Sequence, residues 1–207
     1  MATMVPERRG RPRAEDSRQK LAQVITVARD LFCELGYRAV TMREVAERAS
    51  VSTRTLYNRY ADKLSLFAAC LDVGATAFPR IAPGPGETTE QILARHAAEI
   101  VRVLSIDTSV RLGVLVYREG ADFPEMLRAA EANQHRHLVL PLVRYLDQVG
   151  LAAPGAERAA SLFIAMALSE WQRCVTFRHP MPSAVEIDRH AAFVARTFLH
   201  GMVRDHD

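Results

Sequence analysis

Between Val51 and Lys63 the chain carries a dense run of short polar side chains: Ser52, Thr53, Arg54, Thr55, Asn58 and Arg59. Thr and Asn both donate and accept hydrogen bonds, which suits the mixed edges of bases in a major groove about 12 Å wide. Arg54 is placed either to grip guanine O6 and N7 in a bidentate fork or to rest on a phosphate. A Tyr such as Tyr57 can reach a phosphate oxygen through its hydroxyl, and Lys63 adds a cation at a helix start where backbone amides already attract anions. Behind these groups lies a small apolar set, Val45, Ala46, Ala49, Val51 and Leu56. Ala46 is small where two crossing helices must approach. This is the arrangement that a helix-turn-helix over residues 41–60 requires.

Other chemistries lack their residues. No HExxH, GxSxG or P-loop pattern occurs, and no Glu-x-x-His pair of the kind that holds a di-metal centre. Glu131/His135 and Glu186/His190 stand four apart, the spacing of helix-surface support rather than of ligands. His135 and His137 point to different faces. Cys33, Cys70 and Cys174 are few, odd in number and widely spaced, so free thiols in a reducing cytoplasm are expected, with no disulfide, metal or other cofactor. The apolar runs are shorter than a membrane span needs, and the basic N-terminus leads into no apolar signal region. A cytoplasmic protein with no membrane partner is expected.

The net charge of +3 is unevenly placed. Residues 1–67 hold 13 Lys and Arg against 8 Asp and Glu, and the rest of the chain 14 against 16. Only the front should meet an anionic partner. Its first 16 residues are a basic arm broken by Pro6, Gly10 and Pro12. Arg9, Arg11 and Arg13 in Arg-Gly-Arg-Pro-Arg resemble the core of an AT-hook. They would enter a narrow minor groove or touch phosphates without sequence preference.

Helical spacing dominates and strand signals are almost absent, so the fold class is all-α with about nine helices. Leu21, Ile25, Ala28, Leu31, Phe32 and Leu35 mark a first helix over 17–35, stopped by Gly36. Thr41 opens a second at capping-box spacing from Glu44, ending near Ala49. A third covers 53–60, and Asp62 caps a fourth to about Phe78. Further helices are expected from Thr88 or Thr89 to 104, from an Asp107 cap to 119, and from 125 to 149 with a kink at Pro141. Two more cover 156–178 and 183–203.

The order Leu31-Phe32-Cys33-Glu34-Leu35-Gly36-Tyr37, Thr41, Val45-Ala46, Val51-Ser52, Leu56-Tyr57-Asn58-Arg59-Tyr60, Lys63, Leu66-Phe67 resembles the TetR (tetracycline repressor) family over about residues 17–77. The resemblance implies a three-helix DNA-binding head over 17–77 and a helical-bundle regulatory and dimerisation domain over 78–207. Ser52 to Tyr60 would be the recognition helix, with Thr41, Tyr57, Tyr60 and Lys63 joining the DNA contacts. Phe32, Gly36 and Tyr37 would form the core and exit of the first helix. Ser50 stands where the family usually has Gly, at a turn that often needs positive φ. Arg54 also replaces a frequent Gly.

The implied function is a ligand-responsive, sequence-specific regulator, a repressor in its expected form, reading a palindromic operator as a homodimer. A helical-bundle enzyme and a DNA-binding protein without sequence preference are the alternatives. The last two helices would form the dimer interface, for which Phe163, Ala167, Ala191, Val194 and Phe198 are candidates. The stretch Tyr117 to Met126 loosely resembles an AefR-like regulatory subgroup. Tyr117, Phe123, Met126, Phe163, Met166 and Trp171 are candidates for an effector pocket, with plain core packing as the other reading of each.

Overall fold

The computed structural model describes residues 14–151 and 155–204. The helices are α1 (Ala14–Ala39), α2 (Met42–Arg48), α3 (Thr53–Tyr57), α4 (Lys63–Ala75), α5 (Thr89–Leu104), α6 (Asp107–Glu119), α7 (Pro124–Gln134), α8 (Leu140–Gln148), α9 (Ala156–Phe177) and α10 (Ala184–Arg204). A single π turn, His135–Val139, joins α7 to α8. The described residues contain no strand. None of their helices is long and apolar enough to cross a membrane.

Local capping chemistry starts most of these helices. Thr41, Ser52, Asp62 and Thr88 each accept a hydrogen bond from the backbone N–H three residues on. Each satisfies a donor that the first helical turn leaves unpaired. The box is reciprocal at Asp62/Ser65 and Thr88/Gln91, but at Thr41 only the threonine half forms. Asp107 is not the cap of α6: Ile106 holds that place without a side-chain bond, and Asp107 lies in the first turn. There its charge complements the helix dipole.

Two positions depart from the expected helix path. Gly36 breaks α1 with φ 86 and ψ 162, yet helical backbone resumes through Ala39. At φ 86 the Gly36 backbone lies where L side chains are strained, and a Cβ there would also push the Glu119 carboxylate aside. Pro141 was expected to kink its helix. The structure widens the preceding turn instead, and the Leu140 N–H bonds to the His135 carbonyl five residues back. A π turn makes room for the proline ring against the carbonyls behind it.

Two apolar cores result. One gathers Phe32, Val45, Leu56, Leu66 and Phe67 from α1–α4 and includes Leu112, Leu115 and Met126 from α6 and α7. The front helices therefore borrow part of their core from the back. The other core unites α5, α8, α9 and α10 around Leu93, Ile100, Leu142, Phe163 and Val194. Cys70 and Cys174 are buried and Cys33 is half-buried, all as free thiols.

Candidate nucleic-acid interface and ligand cavity

The turn after α2 is a Schellman motif. Ser50 takes φ 54, its N–H bonds to the Glu47 carbonyl, and the Val51 N–H bonds to Ala46 at 2.9 Å. Ser50 thus carries a Cβ in a left-handed conformation that glycine would adopt without strain. The turn aims α3 outward. Leu56 and, just past α3, Tyr60 plug into the core, while Ser52, Thr53, Arg54, Thr55, Tyr57, Asn58 and Arg59 face solvent. Ser52 Oγ accepts from the Thr55 N–H at 3.0 Å and meets the Thr55 hydroxyl at 2.7 Å. Thr41, also exposed, caps α2 at the rim of this face. Among the described residues, the Arg54 guanidinium has no ion pair, so its fork stays available.

Two expected contact residues are placed elsewhere. Tyr60 is only 8% exposed and belongs to the core. Burial raises its hydroxyl pKa, and the neighbouring Arg59 guanidinium works in the opposite direction. Lys63 turns inward. Its Nζ donates to the carbonyl of Tyr37 at 2.7 Å and of Arg38 at 3.3 Å, and lies 4.5 Å from the centre of the Tyr37 ring. Those carbonyls end α1, where a cation is favoured. Burial lowers the Lys63 pKa, while Glu119 and Glu125 work against that shift. Arg9, Arg11 and Arg13 lie outside the described residues.

The end of α1 is also where front and back are clamped. The Glu119 carboxylate accepts from the Arg38 N–H at 3.2 Å, and the Arg38 guanidinium meets Asp122 at 2.8 Å and covers the Phe123 ring. Phe123 packs edge-on against Tyr37 at 5.0 Å. Burial pushes the Tyr37 hydroxyl up to about 12, with Glu125 and Asp62 adding to the rise. Burial opposes ionisation of Glu119 too, but the Arg118 guanidinium and the Arg38 N–H outweigh it and keep the carboxyl below its usual range. Nearby, Asp72 of α4 accepts from Asn133 at 2.9 Å and from Arg136 at 3.2 Å, tying α4 to α7 and the π turn.

A cavity of about 570 Å³ lies between α4, α6, α7 and α9. Tyr117 and Trp171 line it as expected; Phe123, Met126, Phe163 and Met166 do not. Phe123 belongs to the clamp and Met126 is wholly buried in the front core. Phe163 packs edge-on against Phe198 in the rear core, against which Met166 also packs. The wall instead takes Leu71, Phe78, Leu112, Gly113 and Leu127. The Trp171 indole donates to the Leu104 carbonyl at 2.8 Å and lies so close to Gly113 that a Cβ there would stand 2.6 Å from the ring. A glycine in mid-helix was the available signal of this close approach.

The dimer candidates also need correction. Phe163, Ala167, Ala191, Val194 and Phe198 all pack inside their own subunit, none more than 6% exposed. The apolar side chains that α9 and α10 leave outside include Leu162, 55% exposed, and Phe193, 65% exposed. Among the described residues, no group of three or more His, Cys, Asp or Glu is placed to hold a metal ion.

Residues 24–70 match the family model of bacterial regulatory proteins, tetR family. That segment is similar to the DNA-binding part of the TetR family. The TetR-type segment spans α1 to α4 with the exposed face of α3 at its tip. An uncharacterized HTH-type transcriptional regulator, YdeS of Bacillus subtilis, is 29% identical over 61% of this chain and 56% of its own length. The HTH-type transcriptional repressor Rv3405c of Mycobacterium tuberculosis is 31% identical over 40% of this chain and 45% of its own. The chain thus spans about half the length of these curated relatives. A TetR-family regulator from Mesorhizobium loti superposes with a TM-score of 0.69 at 23% identity, covering 89% of this chain and 97% of its own. That likeness carries the all-α fold across front and back. These relatives are regulators rather than enzymes.

Proposed function

We propose that the chain is a ligand-responsive transcriptional regulator, in the form of a repressor, that reads a palindromic operator as a homodimer in the cytoplasm. In this reading residues 17–77 are the DNA-binding head and residues 78–207 the regulatory and dimerisation domain. The observation that carries it is the exposed polar face of α3, anchored from behind by Leu56 and Tyr60. Thr53, Arg54, Thr55 and Asn58 take the base edges, with Ser52 as the cap that aims them, and Thr41 and Tyr57 take phosphates. Arg9, Arg11 and Arg13 lie in the adjoining minor groove.

Leu162, Ala165 and Phe193 form the exposed face on which a second α9–α10 pair packs, which brings two heads to two half-sites. The cavity supports an effector, since its volume falls in the range of small-molecule sites. A fold neighbour, the flavonoid-responsive regulator FrrA, superposes with a TM-score of 0.69 at 21% identity, over 89% of this chain and 97% of its own. An occupant touching α4 and α6 acts on the helices that carry Asp72 and Glu119, both of which hold the head to the body. It changes DNA affinity only by binding one head position better than another.

Selection of bound sites from random duplex DNA tests this. Enrichment of a two-fold sequence with half-sites about one helical turn apart is the expected outcome. Binding without any enriched sequence would replace the reading with that of a DNA-binding protein lacking sequence preference.

A further inference from the structure

Within the effector cavity the charges are one-sided. Among its lining residues Glu131 carries the sole formal charge, and no Lys, Arg or His contributes to the wall. Glu131 is exposed on α7, so its carboxylate marks the mouth. Helix ends add to this bias. Ala75 at the end of α4, Leu104 at the end of α5 and Gly120 at the C-cap of α6 all line the cavity. Helix C-termini carry partial negative charge from their outward carbonyls. One N-terminal turn, that of α6 at Ser109, also faces the cavity, and Asp107 in the same turn offsets its positive end. Phe78, Tyr117 and Trp171 present aromatic rings, whose faces attract cations. The remaining wall is largely aliphatic.

We propose that the cavity takes a lipophilic cation: an apolar body with a single amine or quaternary ammonium group held toward Glu131. The proposal rests on the effector reading above and adds the ligand's charge class. A carboxylate or phosphate of the same shape would leave water for a wall that offers it no cation, beside a carboxylate that repels it. An uncharged analogue keeps the apolar contacts and loses the electrostatic gain.

Three probes of one chain length separate these cases: decyltrimethylammonium, decanol and decanoate. Each is titrated into the full-length protein below its micelle-forming concentration and followed by calorimetry. Emission of Trp171, the only tryptophan in the chain, locates the binding. The cation is expected to bind tightest and decanoate weakest, by about tenfold or more between them. Glu131→Gln, at an exposed position and checked for folding by circular dichroism, should bring the cation down toward the affinity of decanol. Decanoate binding as tightly as the cation, or a Glu131→Gln protein that holds the cation undiminished, would overturn the charge class and leave the cavity as an effector site. If none of the three probes gives heat or alters Trp171, the effector reading falls, and the charge class with it.

Discussion

His96 lies on α5 within the rear core, 2% exposed, and neither ring nitrogen meets a protein donor or acceptor. Burial, with the Arg95 charge beside it, lowers its pKa from 6.5 to about 4. The unfolded chain takes up a proton as pH drops below 6.5, whereas the folded chain refuses it until about 4. The stability linked to His96 is therefore complete above pH 6.5 and is lost as pH falls through that window. The depression is worth roughly 3 kcal/mol once pH reaches 4, and about 2 kcal/mol of this has gone at pH 5. His96→Leu keeps most of the volume and removes both the proton site and an unpaired buried ring. Removing the latter should stabilise by roughly 1–3 kcal/mol at neutral pH. Thermal melts of both proteins at pH 7.5, 6 and 5, at one fixed protein concentration, measure this. At roughly 2–4 °C per kcal/mol for a chain of this size, the variant's advantage should widen by about 4–8 °C between pH 7.5 and 5. An advantage that stays constant across that range would refute the reasoning, because His96 would then not be a desolvated, unpaired ring.

Further outcomes are expected from single substitutions. Ser50→Gly relieves the left-handed Cβ and should raise the melting temperature by the equivalent of about 0.5–1 kcal/mol. Arg54→Ala should relax base selection at one position of each half-site by about 1–3 kcal/mol in a binding-site selection; uniform weakening across all sequences would mark Arg54 as a phosphate contact. Phe193→Asp places a charge on the exposed α9–α10 face and should convert a dimer to a monomer in light scattering, whereas Phe163→Ala should lower thermal stability by about 3–5 kcal/mol through a core cavity. Gly113→Val drives a side chain into the Trp171 ring and should shift its emission and abolish effector response; a variant that responds normally would remove the cavity from the effector's path.

The front of the molecule was legible in its residues because its determinants are local. The caps at Thr41 and Asp62 act over three residues, and the glycine and serine at positions 36 and 50 act on their own backbone. The expected strain at Ser50 appears as its positive φ. Long-range partners were not legible. Lys63 finds the carbonyls of Tyr37 and Arg38, some 25 residues earlier in the chain, and nothing near it in sequence signals this. Met126 sits seven positions past Glu119 yet joins the front core rather than the cavity. In α9 the apolar residues run nearly all the way round, so periodicity could not separate Phe163, which faces inward, from Leu162, which does not.

The amino-acid sequence by itself determined the helical class, most helix starts and the polar run displayed by α3. Each follows from backbone hydrogen bonds satisfied within a few residues. Tertiary structure alone decided which apolar side chains remain outside, which cations are spent on carbonyls, and which walls enclose the cavity. Burial of apolar surface has no direction of its own, so only the assembled packing says what each such residue faces.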